Sequence, residues 1–289
     1  MKIAFASGKG GTGKTTIAAN LAYLLSLSDK KVQYLDCDVE EPNGHIFLKP
    51  EISEGYPVEV MVPVIDQKRC TSCGECVRAC QFNALICLPG NTMLFPELCH
   101  SCRLCVRVCP AGAISEGRRE VGHIERGGTE IGIDFVHGIL NIGEPMATPV
   151  IKDVKGNYRE GYIKVIDAPP GTSCPVVKAI EDADVVVMVT EPTPFGLHDL
   201  KIAVSVAKEL GKPVGVVVNR ERGGFAPLLD YLLKNRLPVL MSLLEDMEIA
   251  KEYSKGNLIL KGLSGYRERF MELEVGIERL AGIKEQVMA

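Results

Sequence analysis

One run near the start of the chain, Gly8-Lys9-Gly10-Gly11-Thr12-Gly13-Lys14-Thr15, restricts the fold more than any other stretch. A short apolar segment, Lys2 to Ala6, precedes it, and an alanine- and leucine-rich one, Thr15 to Ser26, follows. A further apolar segment, Val32 to Asp36, comes next. The order strand, glycine loop, helix, strand is a βαβ unit, and such units build a parallel sheet. Gly8, Gly10, Gly11 and Gly13 let backbone N–H groups turn inward around a phosphate, and the helix that follows adds the positive end of its dipole. In that frame Lys14 is placed to reach the β- and γ-phosphates of a nucleotide, and the Thr15 hydroxyl to ligate Mg²⁺.

This is the P-loop pattern, and it carries a second lysine, Lys9. Over Ser7-Gly8-Lys9-Gly10-Gly11-Thr12-Gly13-Lys14-Thr15-Thr16 the chain resembles the deviant Walker A ATPases, the family of MinD, ParA, Mrp and the nitrogenase iron protein. The resemblance implies that Gly8 through Thr16 hold ATP. It also implies that Lys9 contacts the nucleotide of a partner subunit, so that ATP drives homodimer formation. Asp36-Cys37-Asp38 closes the second strand, and carboxylates there suit Mg²⁺ coordination and water polarisation. By resemblance to the family's first switch, Asp38 orients the attacking water. Val165-Ile166-Asp167-Ala168-Pro169-Pro170-Gly171 resembles the second strand-end motif, in which Asp167 holds Mg²⁺ through water and Gly171 senses the γ-phosphate. Val218-Asn219-Arg220 follows a strand where the family places its adenine-binding asparagine. Guanine readers use Asn-Lys-x-Asp at that point, and position 222 here is an arginine.

Between Arg69 and Pro110 the βαβ pattern is interrupted by an internal repeat, Cys70-x2-Cys73-x2-Cys76-x3-Cys80 and Cys99-x2-Cys102-x2-Cys105-x3-Cys109. The repeat resembles the bacterial two-cluster ferredoxins, in which the fourth cysteine of each run serves the other cluster. That resemblance implies two [4Fe–4S] clusters. One is held by Cys70, Cys73, Cys76 and Cys109, and the other by Cys99, Cys102, Cys105 and Cys80. Gln81 stands where the second run has Pro110. Zinc is the alternative, although zinc sites usually pair two separated Cys-x2-Cys elements. A turn, Pro89-Gly90-Asn91, divides the two runs and predicts a hairpin of Ala84 to Leu88 with Met93 to Phe95.

Three of the 11 cysteines fall outside the runs. They are Cys37, Cys87 and Cys174, and Cys87 suits simple packing. Cys174 sits at the offset from Asp167 at which the nitrogenase iron protein has a cluster-ligating cysteine. Two Cys174 thiolates brought together across a dimer could therefore bind a metal or a transient cluster.

Hydrophobic residues make up 46% of the chain, charged residues 24%, and the net charge is −4. This balance fits a globular protein and argues against nucleic acid or an anionic membrane as the partner. No apolar run approaches the ~18 residues that cross a bilayer, and the N-terminus lacks the pattern of an export signal. An odd cysteine count without such a signal reads as metal ligation in a reducing compartment, the cytoplasm.

The fold class expected is α/β, a mostly parallel P-loop NTPase sheet with an inserted α+β ferredoxin-like domain. The ATPase domain takes residues 1–63 and 117–289, and the insert takes 64–116. The first α/β stretch is expected to end after about Glu59. Ribbon and a short helix near Pro149 follow the insert. Strands are then predicted at Tyr162 to Asp167, Val185 to Thr190, Val214 to Asn219 and Val239 to Leu243. Helices are predicted at about Pro175 to Glu181, Leu197 to Leu210, Ala226 to Asn235 and Met247 to Lys255. Tyr266, Phe270, Leu273, Ile277, Leu280 and Ile283 mark a final amphipathic helix. Its polar face mixes Arg267, Arg269, Arg279 and Lys284 with Glu268, Glu272, Glu274, Glu278 and Glu285, which predicts packing on the sheet or a partner rather than on a membrane.

Three functions are compatible with these motifs. Nucleotide-driven dimerisation could gate electron transfer from the clusters to a redox partner. The chain could instead assemble or deliver iron–sulfur clusters to an acceptor protein, as Mrp-like relatives are thought to. It could also be a MinD-like switch with redox-sensing clusters. Slow, partner-stimulated hydrolysis is expected in each.

Overall fold

The structure, a computed structural model, describes residues 1–28 and 30–282. Ile283, Lys284 and Glu285 of the expected final helix lie outside the described residues. In chain order the elements are β1 (Lys2–Ala6), α1 (Lys14–Ser26), β2 (Val32–Asp36), α2 (Gly44–Leu48), β3 (Glu51–Ile65), α3 (Glu75–Ala79), β4 (Leu85–Leu88) and β5 (Asn91–Leu94). There follow α4 (Leu104–Val108), β6 (Ile114–Gly128), β7 (Asp134–Leu140), α5 (Ala147–Gly156), β8 (Ile163–Asp167), α6 (Cys174–Ile180), β9 (Val185–Thr190) and α7 (Pro194–Glu209). The chain closes with β10 (Val214–Glu221), α8 (Ala226–Lys234), β11 (Val239–Leu244), α9 (Met247–Ser254), α10 (Ile259–Gly262) and α11 (Arg267–Leu280).

A sheet in the order β11-β10-β9-β1-β8-β2-β7-β6-β3 organises the molecule. From β11 to β7 every neighbouring pair is parallel. The central strands are apolar on both faces because helices cover both. Ile3 and Phe5 of β1, with Val185, Val187 and Val189 of β9, face a core shared with α1 and α11. The intervening Ala4, Ala6, Val186 and Met188 face the opposite core, shared with α5, α6 and α7. Parallel strands fed by crossover helices bring all their C-terminal ends to one edge of the sheet, and the loops at that edge build the site.

The last two strands depart from this plan. β6 runs antiparallel to β7 over residues 122–128, and β3 pairs with β6 along its whole length, from Glu51 opposite Gly128 to Ile65 opposite Ile114. Each strand has 15 residues, on the order of 50 Å at ~3.3 Å per residue. The ribbon therefore projects beyond the sheet, and residues 66–113 close its far end. There the β4–β5 hairpin and the short helices α3 and α4 pack together.

β3 corrects the expectation that the regular pattern ends near Glu59. Pro57 and Pro63 hide the strand from a propensity reading. The structure accommodates them because β3 is an edge strand, where a missing N–H costs little. Its first residues, 51–57, are exposed on both faces, so no apolar alternation marks them.

The final helix packs on the sheet. Phe270 and Leu273 are fully buried and Ile277 nearly so, in the core of β1, β9 and α1. Lys30 pins the helix from outside, 2.5 Å from Glu274 and 3.1 Å from Glu278. Among the described residues no helix is long and apolar enough to cross a membrane. Phe270→Ala should cost about 3–5 kcal/mol by leaving a cavity in a close-packed core. Urea denaturation measures it, and a loss below about 1 kcal/mol would contradict the packing role.

Candidate functional site

The glycine run forms the turn between β1 and α1. Gly13 is the N-cap of α1 with φ 90°, a left-handed conformation that favours glycine. A side chain there would also collide with the Asn219 amide. That amide donates 2.8 Å to the Thr12 carbonyl, so β10 fastens the loop from the side. On the other flank, Gly8 lies against the main chain of Asp199 in α7. The loop opens on a cavity of about 340 Å³ lined by Gly10, Gly11, Thr12, Gly13, Lys14, Thr15, Thr16, Asp38 and Asn219. The Thr12 hydroxyl is buried and has no hydrogen-bond partner among the described residues. A buried polar group of this kind calls for a ligand, and phosphate oxygens would supply one.

Behind the loop lies a cluster of charge. Lys14 Nζ donates 2.6 Å to Asp167 Oδ1 and stands 3.9 Å from Asp38 Oδ2. The Tyr34 hydroxyl donates to the other Asp167 oxygen at 3.0 Å. Asp36 turns inward, accepting from the backbone N–H of Asp38 at 3.1 Å and of Gly44 at 2.8 Å. It therefore folds the loop between β2 and α2. Burial, then the Asp167 carboxylate, pushes Asp36 up to about 8. Burial likewise pushes Asp38 up to about 6 against the pull of Lys14. Burial pulls Lys14 down, but the carboxylates of Asp167, Asp38 and Asp36 outweigh it and hold the ammonium raised. Asp38 and Thr15 line the cavity, and their oxygens suit Mg²⁺, a hard cation that prefers oxygen ligands.

The remaining nucleotide-site candidates occupy the rim. Gly171 (φ 99°) donates its N–H to the Ser7 carbonyl at 2.9 Å, joining the loop after β8 to the glycine turn. Lys9 points away from the cavity and pairs with Glu191 at 3.1 Å. Glu191 also binds Arg220 at 2.6 Å. Cys174 is exposed as the first residue of α6. Cys37 is fully buried, and burial pushes its thiol far up.

The eight repeated cysteines gather around two separate cavities at the far end of the ribbon. Cys70, Cys73, Cys76 and Cys109 line one, with Ile65, Thr92 and Ile114. Cys80, Cys99, Cys102 and Cys105 line the other, with Pro63, Leu85 and Leu94. Each fourth cysteine thus crosses to the cavity of the other run. The crossing cysteines share a second feature. Cys80 Sγ accepts the Ala84 N–H at 3.4 Å, and Cys109 Sγ accepts the Ala113 N–H at 3.3 Å. Burial pushes Cys105 up to about 11, with its neighbouring thiols adding to the shift, so holding that sulfur as a thiolate calls for a positively charged centre. Among the described residues no three His, Cys, Asp or Glu side chains close on a single ion position.

Residues 3–259 match the CobQ/CobB/MinD/ParA nucleotide binding domain. The chain belongs to that family. It is 36% identical over 204 residues to an uncharacterized Methanocaldococcus jannaschii protein, covering 69% of this chain and 70% of that one. It is also 28% identical over 231 residues to the iron-sulfur cluster carrier protein of Methanococcus maripaludis, covering 78% of this chain and 61% of that one. The fold matches that of the septum site-determining protein MinD of Pyrococcus horikoshii, solved with Mg-ADP, at a TM-score of 0.58 and 21% identity over 98% of each chain. The sheet and glycine turn are thus those of a MinD-type P-loop ATPase.

Three parts of the site escape sequence reading. Tyr34 sits in mid-strand and looks like core, yet its hydroxyl orients Asp167. Glu191 is an ordinary strand-end acid until the fold places it beside Lys9. The wall opposite the glycine turn comes from Leu243, Leu244, Glu245, Asp246, Met247 and Ile249, between β11 and α9. Only its position after a strand at the C-terminal edge of a parallel sheet could have marked it.

Proposed function

We propose that this protein binds and slowly hydrolyses ATP with Mg²⁺, that ATP pairs two copies of the chain, and that pairing gates electron transfer from two [4Fe–4S] clusters to a redox partner. One observation carries this reading. Two cavities, each ringed by four cysteines, cap a ribbon whose other end is hydrogen-bonded through β7 to β2, the strand that ends in Asp36-Cys37-Asp38. Nucleotide-dependent movement at the end of β2 therefore has a continuous hydrogen-bonded path to the clusters. A triphosphate in the cavity would compete with Asp167 for Lys14, and Thr15, Asp38 and the freed Asp167 carboxylate would be the oxygen donors available to Mg²⁺, which would offset phosphate charge, while Asp36 acts through the loop it holds. Lys9 leaves Glu191 to reach the partner's nucleotide, while Asn219 and the β11–α9 wall take the adenine.

A second reading, cluster delivery, is favoured by relatives named iron-sulfur cluster carrier proteins and by the exposure of Cys174. Anaerobic EPR of dithionite-reduced protein, with and without ATP and Mg²⁺, separates the two. Electron-transfer gating predicts cluster signals that shift with nucleotide in the wild type. In Lys9→Ala both this shift and the ATP-dependent dimer, read by sedimentation, should disappear. Clusters blind to nucleotide would sink the gating reading. Transfer of iron to an apo-acceptor that fails in Cys174→Ala would then support delivery.

A further inference from the structure

The two cysteine cavities are copies of one repeat, yet one buried position differs between them. At the repeat's offset, Cys70 corresponds to Cys99, Ile65 to Leu94 and Leu85 to Ile114, and these pairs line equivalent places in the two cavities. Pro63 in the second cavity corresponds to Thr92 in the first. Thr92 is buried, with 2% of its surface exposed. Gln67 holds its main chain from both sides, donating to the Thr92 carbonyl at 2.6 Å and accepting from the Thr92 N–H at 3.1 Å. The hydroxyl is thereby set 3.3 Å from the Cys70 sulfur and 3.5 Å from the sulfur of Cys87, the cysteine that belongs to neither run.

The Thr92 hydroxyl donates toward Cys87 here, and ligation of Cys70 as a thiolate turns that hydrogen to Cys70, because donor capacity is limited. A threonine hydroxyl has one hydrogen to give, a ligated thiolate can only accept, and a free thiol is a weak donor. We propose that Thr92 donates its hydroxyl hydrogen to the Cys70 ligand sulfur, that the Cys87 thiol donates in turn to the Thr92 oxygen, and that this chain raises the reduction potential of the cluster held by Cys70 and leaves the other cluster untouched. This rests on the two-cluster reading. A hydrogen bond to a ligand sulfur offsets negative charge, which is greater in the reduced cluster, so it favours reduction. Proline has no side-chain donor, so the second cavity lacks the device. The charged side chains near the cavities do not reproduce the asymmetry. Glu75 is paired with Arg78, and Arg103 with Glu116, and all four side chains are about half exposed, where solvent screens them.

The test is a redox titration of the full chain, followed by EPR. Iron and sulfide are counted first, and a wild type without two clusters would fail the function reading rather than this one. With both clusters present, Thr92→Val should lower one midpoint by about tenfold in the one-electron reduction equilibrium, ~59 mV. Thr92→Ser should restore it. Cys87→Ala should give a smaller shift in the same direction with the iron content intact. The shifted midpoint should be the one missing in Cys109→Ala. Unchanged midpoints in Thr92→Val, or equal shifts in both clusters, would overturn the proposal. So would loss of a cluster in Cys87→Ala, which would make Cys87 a ligand.

Discussion

Lys14→Met is expected to abolish ATP turnover and to weaken the fold in the same step. Adding Asp167→Asn to it is expected to return the stability and none of the turnover. The lysine is nearly buried and its partner Asp167 fully so. With the ammonium gone, the Asp167 carboxylate keeps, among the described residues, only the Tyr34 hydroxyl as a side-chain hydrogen-bond partner, beside the equally buried Asp36. Breaking a buried pair from one side typically costs about 3–5 kcal/mol, because the surviving charge stays desolvated. An asparagine amide removes that charge while its carbonyl can still accept from Tyr34. Turnover does not return, because the transferring phosphoryl group has lost a positive charge, worth at least ~100-fold in rate. Urea denaturation and phosphate release measure the two effects separately. A single variant that turns over within a few-fold of the wild type would remove Lys14 from the reaction. A double variant no more stable than the single one would show that the Asp167 charge is not the source of the loss.

The double role of Lys14 also shows what a linear sequence exposes. The glycine run specifies its own turn through local conformation, and the apolar runs of β1, β2, β8, β9 and β10 specify a parallel sheet because both faces are covered. Those elements lie where patterning puts them, as does α5 near Pro149. The cysteine runs are equally legible, since a short spacing repeated twice leaves few chemistries. Pairings between residues far apart in sequence are not visible in this way. Lys14 meets Asp167, and Lys9 meets Glu191, only once the parallel sheet sets β1 between β8 and β9. β3 escapes a linear reading because its stabilisation comes from pairing with β6, with prolines that only an edge position tolerates. Thr92 carried no signal at all, because its meaning depends on comparison with Pro63 across a fold-level repeat.

That repeat makes the second large effect. Cys109→Ala is expected to remove the same cluster as Cys73→Ala, and Cys80→Ala the same one as Cys102→Ala. Each variant should fall from about eight iron atoms per chain to about four. Pairing along the sequence would group Cys80 with Cys73 instead, so the residual EPR spectra decide between the two arrangements. The structure favours the crossed one, because Cys109 completes the cavity of Cys70, Cys73 and Cys76 and Cys80 completes the other. The apolar support around these cavities is slight. Leu85 and Ile114 are the buried non-cysteine side chains of one cluster of contacts, and Val62 and Ala84 those of the other. A segment that small cannot hold itself together by burial alone, so on the two-cluster reading proposed above the metal centres supply much of its folding free energy. Stripping iron from the wild type with a chelator should therefore open residues 66–113 to proteases while the sheet that carries the glycine turn stays intact. Cleavage spread evenly along the chain would show that the clusters also support the nucleotide domain. Resistance of the stripped insert would show that its packing suffices without them.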